Sequence, residues 1–117
     1  MLEERLGKVT IAPDVLVTIV RLATLSIPGV TRMSSSLTGS VDRFLGRAHI
    51  GEGVRMEIED ESVSVELHII VEPKANMLKL GRTIQAEVAR SISDMVGMSV
   101  RQINVYIDNV EVDSRAV

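Results

Sequence analysis

Two runs of alternating apolar residues sit so close together in this chain that one hairpin accounts for both. They are Val54, Met56 and Ile58, then Val63, Val65, Leu67, Ile69 and Val71. Turning the chain at Asp60 and Glu61 sets Ile58 opposite Val63, Met56 opposite Val65 and Val54 opposite Leu67 on one side of a sheet. The same register places Arg55 against Glu66 on the other side, an opposite-charge pair worth about 0.2–1 kcal/mol. A slip of one residue would set Met56 against Glu66 or Ser64 and carry charge into the core. Pleat and charge therefore select the same pairing.

A long helix follows this hairpin. After a connection over Glu72 to Asn76, the residues Met77, Leu80, Ile84, Val88, Ile92, Met95 and Val96 recur at helical spacing. Lys79, Arg82, Gln85, Arg90 and Ser93 fall on the other faces, and Gly97 supplies the stop. A last strand turns Ile103, Val105 and Ile107 inward, then changes phase to Val110 and Val112. That change implies an extra residue around Asp108 and Asn109, a bulge or tight bend for which Asn109 tolerates the left-handed conformation.

Upstream, Val9 and Ile11 alternate with Lys8 and Thr10 and predict a short strand over Lys8 to Ala12. Pro13 suits the first turn of a helix running from Asp14 to about Ser26, with Val15, Ile19, Leu22, Ala23 and Ile27 as its buried stripe. Pro28 and Gly29 end it, and Val30 to Ser34 predicts a second short strand. The stretch from Ser34 to Gly53 is irregular, although Ser40 as N-cap and Gly46 past the end bracket a short helix from Val41 to Leu45. The order strand, helix, strand, short helix, strand, strand, helix, strand predicts an α+β two-layer domain. Its sheet is mostly antiparallel, with the two main helices on one face. Residues 1–117 read as a single domain with an ordered core over about 7–112 and a frayed tail over 114–117. The segment from Val63 to Val112 is expected to be right-handed if its strands lie parallel.

Composition narrows the chemistry. Of 117 residues 45% are apolar and 25% charged, the balance of a globular protein rather than a disordered one. Aromatic residues are two, Phe44 and Tyr106, so the core is aliphatic and stacking platforms for bases or sugars are scarce. The absence of cysteine excludes disulfides, thiolate metal sites and a cysteine nucleophile. The amino terminus lacks the basic-then-apolar layout of a secretory signal. Apolar runs fall well short of the roughly 20 residues a membrane span needs. A net charge of -3 opposes non-specific binding to phosphate backbones.

A search for reaction centres eliminates most of them. Gly51 and Gly53 open a strand where a dinucleotide fingerprint would open a helix, and no Walker-type loop is present. With His49 and His68 as the only histidines, a serine triad is not expected. The acidic cluster of Glu57, Glu59, Asp60 and Glu61 reads as a solvated hairpin rather than a cation site, because adjacent strand residues project to opposite faces. No catalytic residue, metal ligand or cofactor is expected. Arg43, Arg47 and His49 lie together in an apparent loop, open to a small anion as well as to solvent. Ile70 and Tyr106 interrupt the polar face of the sheet and offer either a self-association surface or scattered surface apolar residues.

The motifs in order are GKVTIAPDV from Gly7, IPGV from Ile27, FLGR from Phe44 and GVRMEI from Gly53, followed by VSVELHIIVE from Val63, MVGMSV from Met95 and INVYIDNV from Ile103. In order and spacing they resemble the alkaline-shock, envelope-stress-response family of small bacterial proteins, over nearly the whole chain. The resemblance implies a non-enzymatic cytoplasmic protein, associated with the inner side of the cell envelope through protein partners such as a membrane-anchored relative. It also implies a homo-oligomer, and it brings no catalytic or cofactor-binding residues. The sequence departs from the family pattern at Glu72, Pro73 and Lys74 and at Ser34 to Ser36. The alternative from the residues alone is a nucleic-acid-binding module using Arg21, Arg32, Arg43, Arg47, Lys79, Arg82 and Arg90, opposed by the overall acidity.

Overall fold

The computed structural model describes residues 6–35 and 48–112. Two helices, α1 (Pro13–Leu25) and α2 (Met77–Val96), join five strands: β1 (Val30–Met33), β2 (Ala48–Gly51), β3 (Val54–Glu59), β4 (Ser62–Val71) and β5 (Ser99–Val110). The strands form one sheet, antiparallel at every pairing except β4 with β5, which is parallel. The chain is thus α+β, with a mostly antiparallel sheet and helices packed on it. The short helix expected over Val41 to Leu45 and the tail over 114–117 lie outside the described residues.

β4 organises the sheet. Along one edge it carries β5 for its full length. Along the other it carries β3 opposite residues 62–67 and β1 opposite residues 69–71, end to end, with β2 beyond β3. The hairpin register is the one the alternation demands: Ile58 with Val63, Met56 with Val65, Val54 with Leu67 and Arg55 with Glu66. Asp60 turns it with φ 56°, the one non-glycine residue with positive φ among the described residues. Asn109 therefore does not take the left-handed conformation expected of it. The bulge itself is present, because Ile69 pairs with Ile107 and Ile70 with Asn109, leaving Asp108 as the extra residue. A second bulge at Arg101 lies inside a strand that begins at Ser99, earlier than the apolar positions suggest.

The core lies between sheet and helices. From the sheet come Val54, Met56, Val63, Val65, Leu67, Ile69, Val71 and Ile103, and from α2 come Leu80, Ile84, Val88 and Ile92. At each end of α2 a cap satisfies the backbone. The Asn76 side chain accepts the Lys79 amide at 3.1 Å, and Gly97 closes the helix at φ 78°. The ends of the expected stripe, Met77 and Met95, are exposed.

α1 corrects the sequence reading in phase. Leu16, Val17, Val20 and Thr24 are buried, whereas Val15 and Leu22 are exposed. The helix is apolar on most of its circumference, so periodicity allows two orientations. The one adopted buries a threonine whose hydroxyl is satisfied by the Val20 carbonyl at 2.8 Å. Residues 7–12 form no strand, and Val9 is 95% exposed. Alternation there finds no sheet edge to pair with.

Candidate functional site

Strand alternation gives the sheet a second face, turned away from the helices. Arg55 and Glu57 reach it from β3, Glu66 and His68 from β4, and Asn104 and Tyr106 from β5. The bulge at Asp108 turns that carboxylate to the same side. Arg55 lies 3.4 Å from Glu66 Oε1 and 3.2 Å from Glu57 Oε1. The second oxygen of Glu66 is 2.8 Å from His68 Nε2, and His68 Nδ1 is 2.9 Å from Asp108 Oδ2. Tyr106 stacks on the imidazole, with ring centroids 4.7 Å apart and planes 12° from parallel. The result is a row in which nitrogen groups alternate with carboxylates across three strands, with His68 14% and Glu66 24% exposed.

This geometry cross-links strands rather than activating a reactant. Each imidazole nitrogen meets a carboxylate oxygen, and both contacts are hydrogen bonds only when the ring holds two protons. Glu66 and Asp108 lie on opposite sides of that ring, so they cannot converge on one ion. Among the described residues no group of three or more His, Asp or Glu is placed to hold a metal. The depression beside Arg55, Glu66 and Asn104 encloses about 50 Å³, far below a metabolite site. Nothing among the described residues indicates catalysis.

The sequence candidates separate in space. Arg43 and Arg47 lie outside the described residues. His49 is in β2 and not in a loop. It pairs with Met56 and therefore faces the helix side of the sheet, opposite to Tyr106. Gly51, on that same side, leaves room for α1, since a Cβ there would collide with Val17 Cγ1. Ile70 is 4% exposed and stands outside the main core cluster, so it does not form an exposed apolar spot. Tyr106, 45% exposed, occupies the outer face as its alternation predicts. The alternation also placed His68 on this face. Its partner Asp108 was hidden by the bulge, which shifts the residue out of strict alternation.

Three of the basic side chains invoked for nucleic acid, those of Arg32, Arg82 and Arg90, are engaged with neighbours. Arg32 donates to Glu111 through Nη2 at 2.8 Å and Nε at 3.2 Å. Arg90 pairs with Glu87, and Arg82 bonds Gln85 at 3.0 Å. The hydrogen bond from Arg32 holds the Glu111 carboxyl below the ordinary glutamate range, and the same bond raises Arg32. No helix among the described residues is long and apolar enough to cross a membrane.

Comparison with known proteins identifies the setting. A family model described as alkaline shock protein 23, cell envelope-related function, matches residues 1–112. YqhY of Bacillus subtilis (strain 168) is 29% identical over 115 residues, which cover 97% of this chain and 84% of that protein. YloU of the same organism is 21% identical, covering 95% of this chain and 94% of its own length. Among solved structures, MamM CTD, including a copper form, superposes with TM-score 0.53 at 13% identity. The match covers 86% of this chain and 100% of that one, and shows a shared fold.

Proposed function

The chain belongs to the alkaline shock protein 23 family, with its cell envelope-related function, and we propose that it serves there as a non-enzymatic interaction protein. It docks on protein partners at the cytoplasmic side of the envelope, a membrane-anchored relative among them, and associates with copies of itself. One observation supports this reading best. On the outer face, ion-pair contacts link Arg55, Glu66, His68 and Asp108 in a row beside the half-exposed ring of Tyr106. Such a face is polar and cross-linked, suited to contact, and the depression beside Arg55 is too small for a metabolite.

Cell fractionation tests the reading. The chain is expected in the envelope fraction of cells holding a membrane-anchored partner and in the soluble fraction of cells lacking it. Purified chain is expected not to sediment with vesicles of anionic lipid. Sedimentation with vesicles alone, or a soluble distribution in every strain, overturns it. Retention on a single-stranded oligonucleotide that weakens with salt would favour the nucleic-acid reading.

A further inference from the structure

β5 runs along the margin of the sheet, and among the described residues it pairs with β4 alone. It is twelve residues long, holds no proline, and carries only Arg101 and Asp108 as charges. Natural sheets shorten, twist away or cover an edge of that kind. One hydrogen bond shows which groups the edge presents. Gln85 of α2 donates its side-chain amide to the Ile103 carbonyl at 3.0 Å, so this carbonyl points away from β4. Val105 and Ile107 follow at period two and direct their backbone groups the same way.

The side chains of β5 are symmetric about Val105. Ile103 and Ile107 stand two places to either side, and Val100 and Val110 five places to either side. The bulges at Arg101 and Asp108 bracket the regular stretch between them. All five apolar residues lie on the helix-covered face, opposite Val63, Val65, Leu67, Ile69 and Val71.

We propose that a second copy of the chain pairs with this edge, β5 antiparallel to β5 about a two-fold axis at Val105, joining two sheets into one. The inference rests on the self-association proposed above and assigns its surface. Antiparallel pairing in this register sets Val105 against its counterpart, Ile103 against Ile107 and Val100 against Val110. Shifted by two places, it would set Ile107 against Arg101, or Ile103 against Asn109. Charge agrees, since Arg101 near the start of one strand meets the end of the other that bears Asp108. In its own chain Arg101 also reaches Glu59 at 3.4 Å. Space agrees as well. A groove of about 400 Å³ separates α2 from β5, lined by Met77, Leu78 and Gly81 on one side and Val105 and Ile107 on the other. Leu78, 72% exposed, would be covered by the incoming strand.

The chain contains no cysteine, so single cysteines report the register directly. At the axis, Val105→Cys brings two thiols within disulfide reach. Arg101→Cys leaves its two copies about 27 Å apart at roughly 3.4 Å per residue. Val105→Pro removes an edge amide without touching the β4 ladder. Sedimentation is expected to show a dimer or larger assembly for the unaltered chain, and a smaller species with unchanged circular dichroism for Val105→Pro. Mild oxidation is expected to cross-link Val105→Cys and not Arg101→Cys. If Val105→Pro does not fold, the cysteine pair decides. An assembly in which Val105→Cys stays uncross-linked overturns the β5 pairing and leaves self-association standing. A chain that stays monomeric at every concentration overturns both.

Discussion

Arg32 and Glu111, 79 residues apart in sequence, form a two-armed ion pair over a strand to which neither belongs. Arg32 lies on β1 and Glu111 just past β5, and these strands flank β4 on opposite edges near Ile70. Thr31 joins them, its hydroxyl donating to the Glu111 carbonyl at 3.2 Å. The bulge between Val30 and Arg32 turns Thr31 and Arg32 toward the same neighbour. Arg32 is also the cross-strand partner of Ile70, and its aliphatic stem accounts for the burial of that residue on a polar face.

The Glu111 carboxyl is depressed by this hydrogen bond, which fixes the sign of its pH dependence. A group with a lowered folded-state pKa stabilises above the ordinary glutamate range and ceases to do so as pH falls through the folded value. The Glu111 amide, bonded to the Val71 carbonyl at 2.9 Å, reports the tether. Its hydrogen-exchange protection is expected to fall as pH drops below the ordinary glutamate range. In Glu111→Gln that step is expected to vanish. An identical profile in both proteins would show that the pair does not hold β5. Both partners are exposed, so global stability is expected to change little.

His68 links the two parallel strands through Asp108, and its loss removes a partner from both the Glu66 and the Asp108 carboxylates. His68→Ala is expected to destabilise by about 0.5–1.5 kcal/mol, the usual net worth of the hydrogen bonding it removes. A double-mutant cycle with Asp108→Ala is expected to return a coupling of about 0.5–1.5 kcal/mol by urea unfolding. Additive effects would mean that the contacts to Asp108, at 2.9 and 3.2 Å, carry no energy.

What the sequence displayed and what it concealed divide along physical lines. The hairpin register was legible because pleat and charge both oppose any slip, and α2 because its polar residues leave a single apolar stripe. The parallel neighbour β5 was legible in its phase change, but the contact of its Asp108 with His68 was not, since a bulge breaks the period on which the reading depends. β2 was missed because Ala48, His49, Ile50 and Gly51 carry no alternation of their own, and pairing with β3 makes the strand. The phase of α1 was misread because Leu16 and Leu22 are equally apolar, while Thr24 counts as polar only until the Val20 carbonyl accepts its proton.

That misreading has a direct test. Thr24 is fully buried, and its hydroxyl bonds only within its own helix. Replacing it by valine deletes the donor while keeping the shape, and the Val20 carbonyl remains an acceptor for the backbone amide one turn on. Thr24→Val is expected to fall within about 1 kcal/mol of the unaltered chain, on either side. Leu22→Ala, on the exposed face, is expected to cost less than about 1 kcal/mol, whereas Val20→Ala is expected to cost about 2 kcal/mol. If Leu22→Ala proves as costly as Val20→Ala, the helix packs in the other orientation.

Gly53 marks the point where β1 stops and β3 starts along one edge of β4. The backbone of His68 serves both strands there, accepting the Ser34 amide at 2.8 Å and donating to the Gly53 carbonyl at 2.9 Å. Gly53 has φ 69°, and a Cβ on it would stand 2.8 Å from the carbonyl oxygens of both His68 and Ser34. Both are backbone oxygens, and the one on His68 accepts the Ser34 amide, so neither can swing aside as a side chain would. Left-handed strain for an alanine is about 1–2 kcal/mol and crowding adds about 1–3 kcal/mol, so Gly53→Ala is expected to cost about 2–5 kcal/mol in urea unfolding. Asparagine separates the two contributions, because it tolerates positive φ yet still carries a Cβ. Gly53→Asn is therefore expected to recover at most the backbone share of that cost, about 1–2 kcal/mol, and to keep the crowding share. Recovery to within about 0.5 kcal/mol of the glycine protein would show that backbone conformation alone, and not the meeting of β1, β3 and β4, requires glycine at this position.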